Sequence, residues 1–83
     1  MYKISIRKRA IKALENIPDP FYTKIRQEIL LLAVNPRPLG YIKLKGREAY
    51  RIRVADYRII YQILDEIMIV DVIDLGHRKS IYE

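Results

Sequence analysis

The sequence predicts an α+β fold: two amino-terminal helices, forming an αα-hairpin, packed on one face of a mainly antiparallel sheet in the order β-α-α-β-β-β. Three observations predict it. Apolar residues recur at helical spacing through the first forty residues and at a spacing of two from Tyr41 onward. Pro36, Pro38 and Gly40 fall between the two regimes and separate them. The linkers within each half are short, and helices followed by a run of strands is the α+β pattern.

Residues 2–6 alternate and are rich in strand formers, so they read as a short first strand. Residues 8–17 place Ala10, Ile11, Leu14 and Ile17 at helical spacing, and Pro18 ends that helix by disfavouring helical geometry in the residue before it. Asp19 is the expected N-cap of the second helix, with Pro20 at its first position. That helix is expected to run to about Val34. Its stripe is Ile25, Ile29 and Leu32, widened by Phe21, Leu30, Leu31 and Ala33. Residues 41–45 read as extended and Gly46 as a turn or bulge. Strands are expected at 49–54, 57–64 and 67–75, joined by the two-residue connections Ala55-Asp56 and Asp65-Glu66.

The chain of 83 residues is expected to form a single domain spanning 1–83. Half of it is apolar, which argues against disorder. It has no cysteine, so neither a disulfide framework nor a thiolate metal site is available, and the lone His77 has no carboxylates at helical ligand spacing. No metal and no cofactor is expected. No apolar run reaches membrane-spanning length and no signal-peptide pattern opens the chain, so the expectation is a cytoplasmic protein without a membrane partner. No phosphate-binding glycine loop or nucleophile elbow is present.

The net charge of +6 favours an anionic partner. It is unevenly placed. Residues 43–58 hold Lys43, Lys45, Arg47, Arg51, Arg53 and Arg58, whereas residues 59–76 hold Asp65, Glu66, Asp71 and Asp74 and no base. The basic stripe of the first helix, Lys8, Arg9 and Lys12, reads most simply as a solvated face.

The charge acquires geometry in the hairpin. With Ala55-Asp56 as the loop, Val54 lies opposite Tyr57, Arg53 opposite Arg58, Ile52 opposite Ile59, Arg51 opposite Ile60 and Tyr50 opposite Tyr61. Directly opposed residues share a face. Tyr50, Ile52, Val54, Tyr57, Ile59 and Tyr61 then lie under the helices, and Arg51, Arg53 and Arg58 face the other way. Like charges directly opposite each other destabilise a sheet by a few tenths to about 1 kcal/mol. A phosphate between them reverses the sign, because guanidinium groups bind it bidentately. The competing reading is neutralisation by acids: a two-residue Asp65-Glu66 loop places Asp71 opposite Ile60 and so near Arg51, and Glu48 is also near. The chain then ends in Gly76-His77-Arg78-Lys79-Ser80-Ile81-Tyr82-Glu83. Arg78 is within reach of the arginine face, and Tyr82 can stack on a base or donate a proton. His77 is a candidate acid or base by residue type, though a lone histidine is more often merely exposed.

The ordered series Lys43-Leu44-Lys45-Gly46, Tyr50-Arg51-Ile52-Arg53-Val54, Asp56-Tyr57-Arg58-Ile59-Ile60-Tyr61 and Gly76-His77-Arg78…Tyr82 resembles the RelE/ParE superfamily of bacterial toxins, most closely its RelE-type branch. The resemblance spans essentially the whole chain. It implies a type II toxin that enters the ribosomal A site and cleaves the mRNA codon there, neutralised by a RelB-like antitoxin. It implies catalytic roles for Arg51, Arg53, Arg58, Arg78 and Tyr82, with His77 as a candidate acid or base and Lys43, Lys45, Arg47 and Lys79 as RNA contacts. The implied reaction is metal-independent: the 2′-hydroxyl attacks the adjacent phosphorus. Some family members carry lysines where this chain has Arg51 and Arg53. Lysine can act as a base when its pKa is lowered; arginine effectively cannot. The alternatives are a ParE-like inhibitor of DNA gyrase without nuclease activity, a non-catalytic RNA-binding module, and a folded but inactive toxin.

Overall fold

A computed structural model describes residues 1–81. Its elements are β1 (Lys3–Ile6), α1 (Lys8–Glu15), α2 (Phe21–Leu31), β2 (Ile42–Lys43), β3 (Tyr50–Val54), β4 (Tyr57–Leu64) and β5 (Ile69–His77), with a single 3₁₀ turn at Asp65–Ile67. The five strands form one sheet in the order β1-β5-β4-β3-β2. β1 runs parallel to β5 and every other pair is antiparallel. As expected, both helices cover one face.

The helices form where the apolar spacing places them, and both end early. Asn16 caps α1, and the last turn after α2 tightens into shorter bonds, with the Ala33 and Val34 N–H groups donating to the Leu30 and Leu31 carbonyls at 3.1 and 3.0 Å. The Asp19 carboxylate starts α2 by accepting from the Thr23 N–H at 3.0 Å and the Thr23 hydroxyl at 2.6 Å, although the helix proper begins after Pro20. Those bonds hold the Asp19 carboxyl below the usual carboxylate range.

The core on this face contains Ala10 and Leu14 of α1, Ile25 and Ile29 of α2, and Ile52, Val54, Ile59, Tyr61, Val70, Val72 and Leu75 of the sheet. The expected widening of the α2 stripe is only partly correct. Ala33 is buried, but Phe21, Leu30 and Leu31 are exposed, because a short helix on a small sheet buries one stripe and no more. Tyr61 is fully buried and its hydroxyl donates to the Pro36 carbonyl at 2.7 Å, fixing the loop that follows α2. Burial pushes the Tyr61 phenol up from its ordinary value.

The largest departure is the β4–β5 hairpin. Its connection is the four residues Asp65 to Met68, closed by the 3₁₀ turn and by Met68 in the left-handed region at φ 55°. Leu64 therefore pairs with Ile69, and Asp71 pairs with Gln62 rather than Ile60. A bulge then opens between Ile60 and Tyr61: Tyr61 pairs with Val72, Ile60 with Asp74, and Ile73 is the extra residue. The bulge shifts the alternation, so that Val70 and Val72 on one side of it and Leu75 on the other all reach the helix-side core.

Asp65 joins three distant segments. Its carboxylate accepts from Arg37 Nη2 at 2.7 Å and from the Tyr2 hydroxyl at 2.6 Å, tying the amino terminus, the β4–β5 turn and the loop after α2. The Arg37 hydrogen bond foremost, and then that from Tyr2, hold the Asp65 carboxyl below its usual range. In acid the unfolded chain therefore protonates this group first, so its stabilising effect is complete above about pH 4 and disappears as pH falls through the folded value. Asp65→Asn flattens the acid limb of a stability-against-pH curve measured by denaturant unfolding. Tyr61→Phe leaves the buried Pro36 carbonyl without this donor and lowers unfolding free energy by about 1–3 kcal/mol in the same assay.

Candidate active site

The β3–β4 ladder matches the predicted register pair by pair, from Val54 opposite Tyr57 to Tyr50 opposite Tyr61. Ala55 makes the tight turn possible by taking φ 54°, uncommon for a residue with a side chain. Arg53 and Arg58 are thus directly opposed on the face away from the helices. Gly76 lies on the other side of Arg58, so Arg58 sits between Arg53 and a residue with no side chain.

Arg78 completes the group. Its N–H donates to the Asp56 carbonyl at 2.8 Å, and its Nε lies 3.8 Å from Asp56 Oδ1. Arg53, Arg58 and Arg78, with Ala55, Asp56 and Tyr57, line a cleft of about 150 Å³. A water takes about 30 Å³ in the liquid, and drug-sized ligands need roughly 300–1,000 Å³. The cleft has room for a phosphate group. Three guanidinium-bearing side chains from three separate segments surround this space, a chemistry that suits an anion.

Arg51 lies on the same face but outside this cleft. It is 4 % exposed, opposite Ile60, and with Arg53 it borders a second groove along the outer edge of β3, beside Glu28, Leu39 and Ile42. The acids that sequence reasoning brought toward Arg51 are engaged elsewhere. Asp71 pairs with Arg7 at 3.0 Å, and the longer hairpin loop sets it opposite Gln62 rather than Ile60. Asp74 pairs with Arg9 at 3.2 Å, and the exposed Glu48 is 3.7 Å from Lys43.

His77 pairs with Tyr57 in the ladder and so shares the helix-side face, opposite that of Arg58. Its ring stands edge-on to Tyr57, with centroids 5.6 Å apart and planes at 80°, and its Nδ1 accepts from the Lys79 N–H at 3.2 Å. The structure does not bring it to the arginine cleft. Lys45 and Lys79 are exposed; the Lys43 ammonium donates to the Arg47 carbonyl at 3.1 Å; Arg47 borders a groove with Arg9, Asp74 and Ser80. Tyr82 lies outside the described residues. Among the described residues, no group of three or more His, Asp or Glu is arranged to hold a metal ion.

Asp56 was missed as a site residue. It reads in sequence as a turn, but the ladder ends with His77 opposite Tyr57, which puts Arg78 against it. No local signal in the sequence marks this contact, because it depends on the four-residue β4–β5 loop and the bulge at Ile73.

Residues 4–82 match the family model described as the ParE toxin of type II toxin–antitoxin systems. The chain belongs to this toxin family. It is similar to the mRNA interferase toxin RelE of Escherichia coli K12, with 27% identity over 81 residues covering 94% of this chain and 84% of that one. Among solved structures, it superposes on RelE in the archaeal RelE–RelB complex of Pyrococcus horikoshii with a TM-score of 0.84, at 29% identity, covering 96% of this chain and 98% of that one. The intact E. coli RelBE complex gives a TM-score of 0.80 at 26% identity, covering 93% and 96%. The fold expectation and the RelE-type resemblance both hold.

The arginine cleft of this toxin fold has a thermodynamic signature. Removing one of the opposed cations by Arg53→Gln raises the low-salt stability of the free protein by a few tenths to about 1 kcal/mol. Inorganic phosphate at constant ionic strength raises the melting temperature of the wild type and raises that of Arg53→Gln less, as read by calorimetry.

Proposed function

We propose that this chain is a ribosome-dependent endoribonuclease, the toxin of a type II toxin–antitoxin pair, which cuts mRNA in the A site and so blocks translation. The observation that carries this reading is the convergence of Arg53, Arg58 and Arg78 on one phosphate-sized cleft, in a chain similar to RelE across nearly its whole length.

In this reading the 2′-oxygen of the nucleotide before the cut attacks the adjacent phosphorus, and the 5′-oxygen of the next nucleotide leaves. The products are a 2′,3′-cyclic phosphate and a 5′-hydroxyl. Charge gathers on the non-bridging oxygens, where Arg53, Arg58 and Arg78 neutralise it; stabilisation of this kind is usually the largest catalytic term. The arginines thereby supply charge that a metal ion supplies in other nucleases. Arg51, buried beside the cleft, strengthens the positive field. Tyr82 protonates or orients the leaving oxygen. Asp56 lies against Arg78 and His77 faces away from the cleft, so the reading assigns acceptance of the 2′-hydroxyl proton to a group presented by the ribosome. A toxin that lacks its own base and needs its substrate aligned would be inert on free RNA. Lys43, Lys45, Arg47 and Lys79 extend the RNA footprint. A RelB-like antitoxin neutralises the toxin. A basic chain that exposes Leu30, Leu31, Val34 and Leu39 suits such a covering partner.

The ParE description of the matching family model favours one rival, a gyrase inhibitor with no nuclease activity. Induction followed by 5′-end mapping separates the two: the nuclease reading expects cuts inside translated codons, and the rival expects none, with loss of supercoiling by purified gyrase. In a translation mix stalled at a defined codon, Arg78→Ala lowers the cleavage rate by roughly 10²–10³-fold. Cutting at the wild-type rate removes Arg78 from the site.

A further inference from the structure

The sheet carries a second, smaller core on the arginine face. It consists of Leu44, Ala49, Ile60 and Ile81, with Ile73 packed against it. These residues come from the segment between β2 and β3, from β4, and from the segment after β5. Ile81 is 8 % exposed, whereas Arg78, Lys79 and Ser80 just before it are exposed. It is the one buried side chain between Arg78 and Ile81.

The turn leading to Ile81 is closed on itself. The Ser80 and Ile81 N–H groups donate to the His77 carbonyl at 2.9 and 3.2 Å, and the Ser80 hydroxyl donates to the same oxygen at 3.1 Å. The Arg78 N–H bond to the Asp56 carbonyl holds the start of the turn. The Arg78–Asp56 ion pair is long, and both side chains are more than half exposed, so it adds little restraint. Beyond Arg78, among the described residues, the turn is held by its own hydrogen bonds and docked on the sheet by Ile81 in its apolar seat.

That seat adjoins the cleft. Gly76 is paired with Arg58, and a β-carbon added to Gly76 would lie 3.7 Å from the Ile81 β-carbon and 3.8 Å from Ser80 Oγ. The turn therefore rests directly on Gly76, at ordinary contact distance for one added carbon. Ile60, on the floor of the seat, is paired with Arg51. The opposite wall, Leu44 and Ala49, closes the segment that carries Lys45 and Arg47 through a Leu44 N–H to Ala49 carbonyl bond of 2.9 Å.

We propose that Ile81 is a positioning residue for the reaction proposed above, on which this inference rests: it locks the 78–81 turn onto the arginine face and so holds Arg78 over the phosphate cleft. Ile81 touches no substrate. Its role is to turn the segment after β5 into a fixed wall of the site, because a catalytic cation that wanders by an ångström loses much of its effect on the transition state.

The test compares Ile81→Ala, Ile81→Val and Gly76→Val with the wild type. Val70→Ala, a truncation in the helix-side core, is the control for general destabilisation. Two readouts are used. Limited trypsinolysis with mass spectrometry reports cutting after Arg78 and Lys79 relative to sites within residues 1–77. Cleavage on ribosomes stalled at a defined codon gives kcat and KM separately.

In Ile81→Ala and Gly76→Val, nicking after Arg78 and Lys79 accelerates by about tenfold or more while the rest of the chain stays protected. The value of kcat falls by about 10- to 100-fold with KM nearly unchanged. Ile81→Val restores most of both, and Val70→Ala leaves both near wild type despite its lower melting temperature. Wild-type nicking and wild-type kcat in Ile81→Ala overturn the proposal. So does a kcat in Val70→Ala that falls as far as in Ile81→Ala, since that pattern reports stability alone. If the wild-type chain fails to cut on ribosomes, the nuclease reading falls and this role falls with it. If the wild type cuts and Ile81→Ala cuts equally well, only the role of Ile81 is refuted.

Discussion

The pairing of β3 with β4 is the constraint on which the rest of this molecule depends. A strand has a side-chain period of two, so a slip of one residue would exchange every inward and outward side chain. The turn at Ala55 and Asp56 fixes the register with Val54 opposite Tyr57. From that single choice, Ile52, Val54, Ile59 and Tyr61 enter the core beneath the helices, and Arg51, Arg53 and Arg58 are placed on the other face. The helices bury apolar surface only in this register. The opposed arginines are therefore imposed by the hydrophobic core, which outweighs their mutual repulsion by the burial of several large side chains at about 1.5–3 kcal/mol each.

Asp65, Asp71 and Asp74 of the β4–β5 region have basic partners in the first forty residues. The acidic residues of the β4–β5 region look, in the linear sequence, like the natural counter-ions of the arginine face. In the folded chain Asp65 is held by Arg37 and Tyr2, Asp71 by Arg7, and Asp74 by Arg9. The four-residue β4–β5 loop sets Asp71 opposite Gln62, and the bulge at Ile73 keeps Val70, Val72 and Leu75 in one core. A single extra residue thus serves the packing of the helix-side core.

The site is also divided between rigid and end-anchored parts. Arg53 and Arg58 project from paired strands, Arg58 with a neighbouring strand on each side and Arg53 with one. Arg78 lies beyond the last strand and relies on a backbone bond to Asp56 and on the apolar seat of Ile81. Such a construction makes the third cation the most sensitive to packing on the far side of the turn. Gly76 is the residue against which this turn packs.

The elements, their order, the helix-then-strand division and the β3–β4 register were legible in the sequence. Each depends on neighbours close along the chain: the 3.6 and 2.0 periods, prolines at 18, 36 and 38, and a two-residue connection. The set Arg51, Arg53 and Arg58 was legible for the same reason. The length of the β4–β5 loop, the bulge at Ile73, the engagement of Asp71 by Arg7, the facing of His77 toward Tyr57, the contact of Asp56 with Arg78 and the burial of Ile81 were decided only by the tertiary structure. All of them involve β5, whose sequence Ile-Val-Asp-Val-Ile-Asp-Leu is apolar on both faces and so gives no single alternation to count. Its register was settled by which apolar residues the two cores could accommodate, a condition that long-range packing imposes and local pattern does not contain.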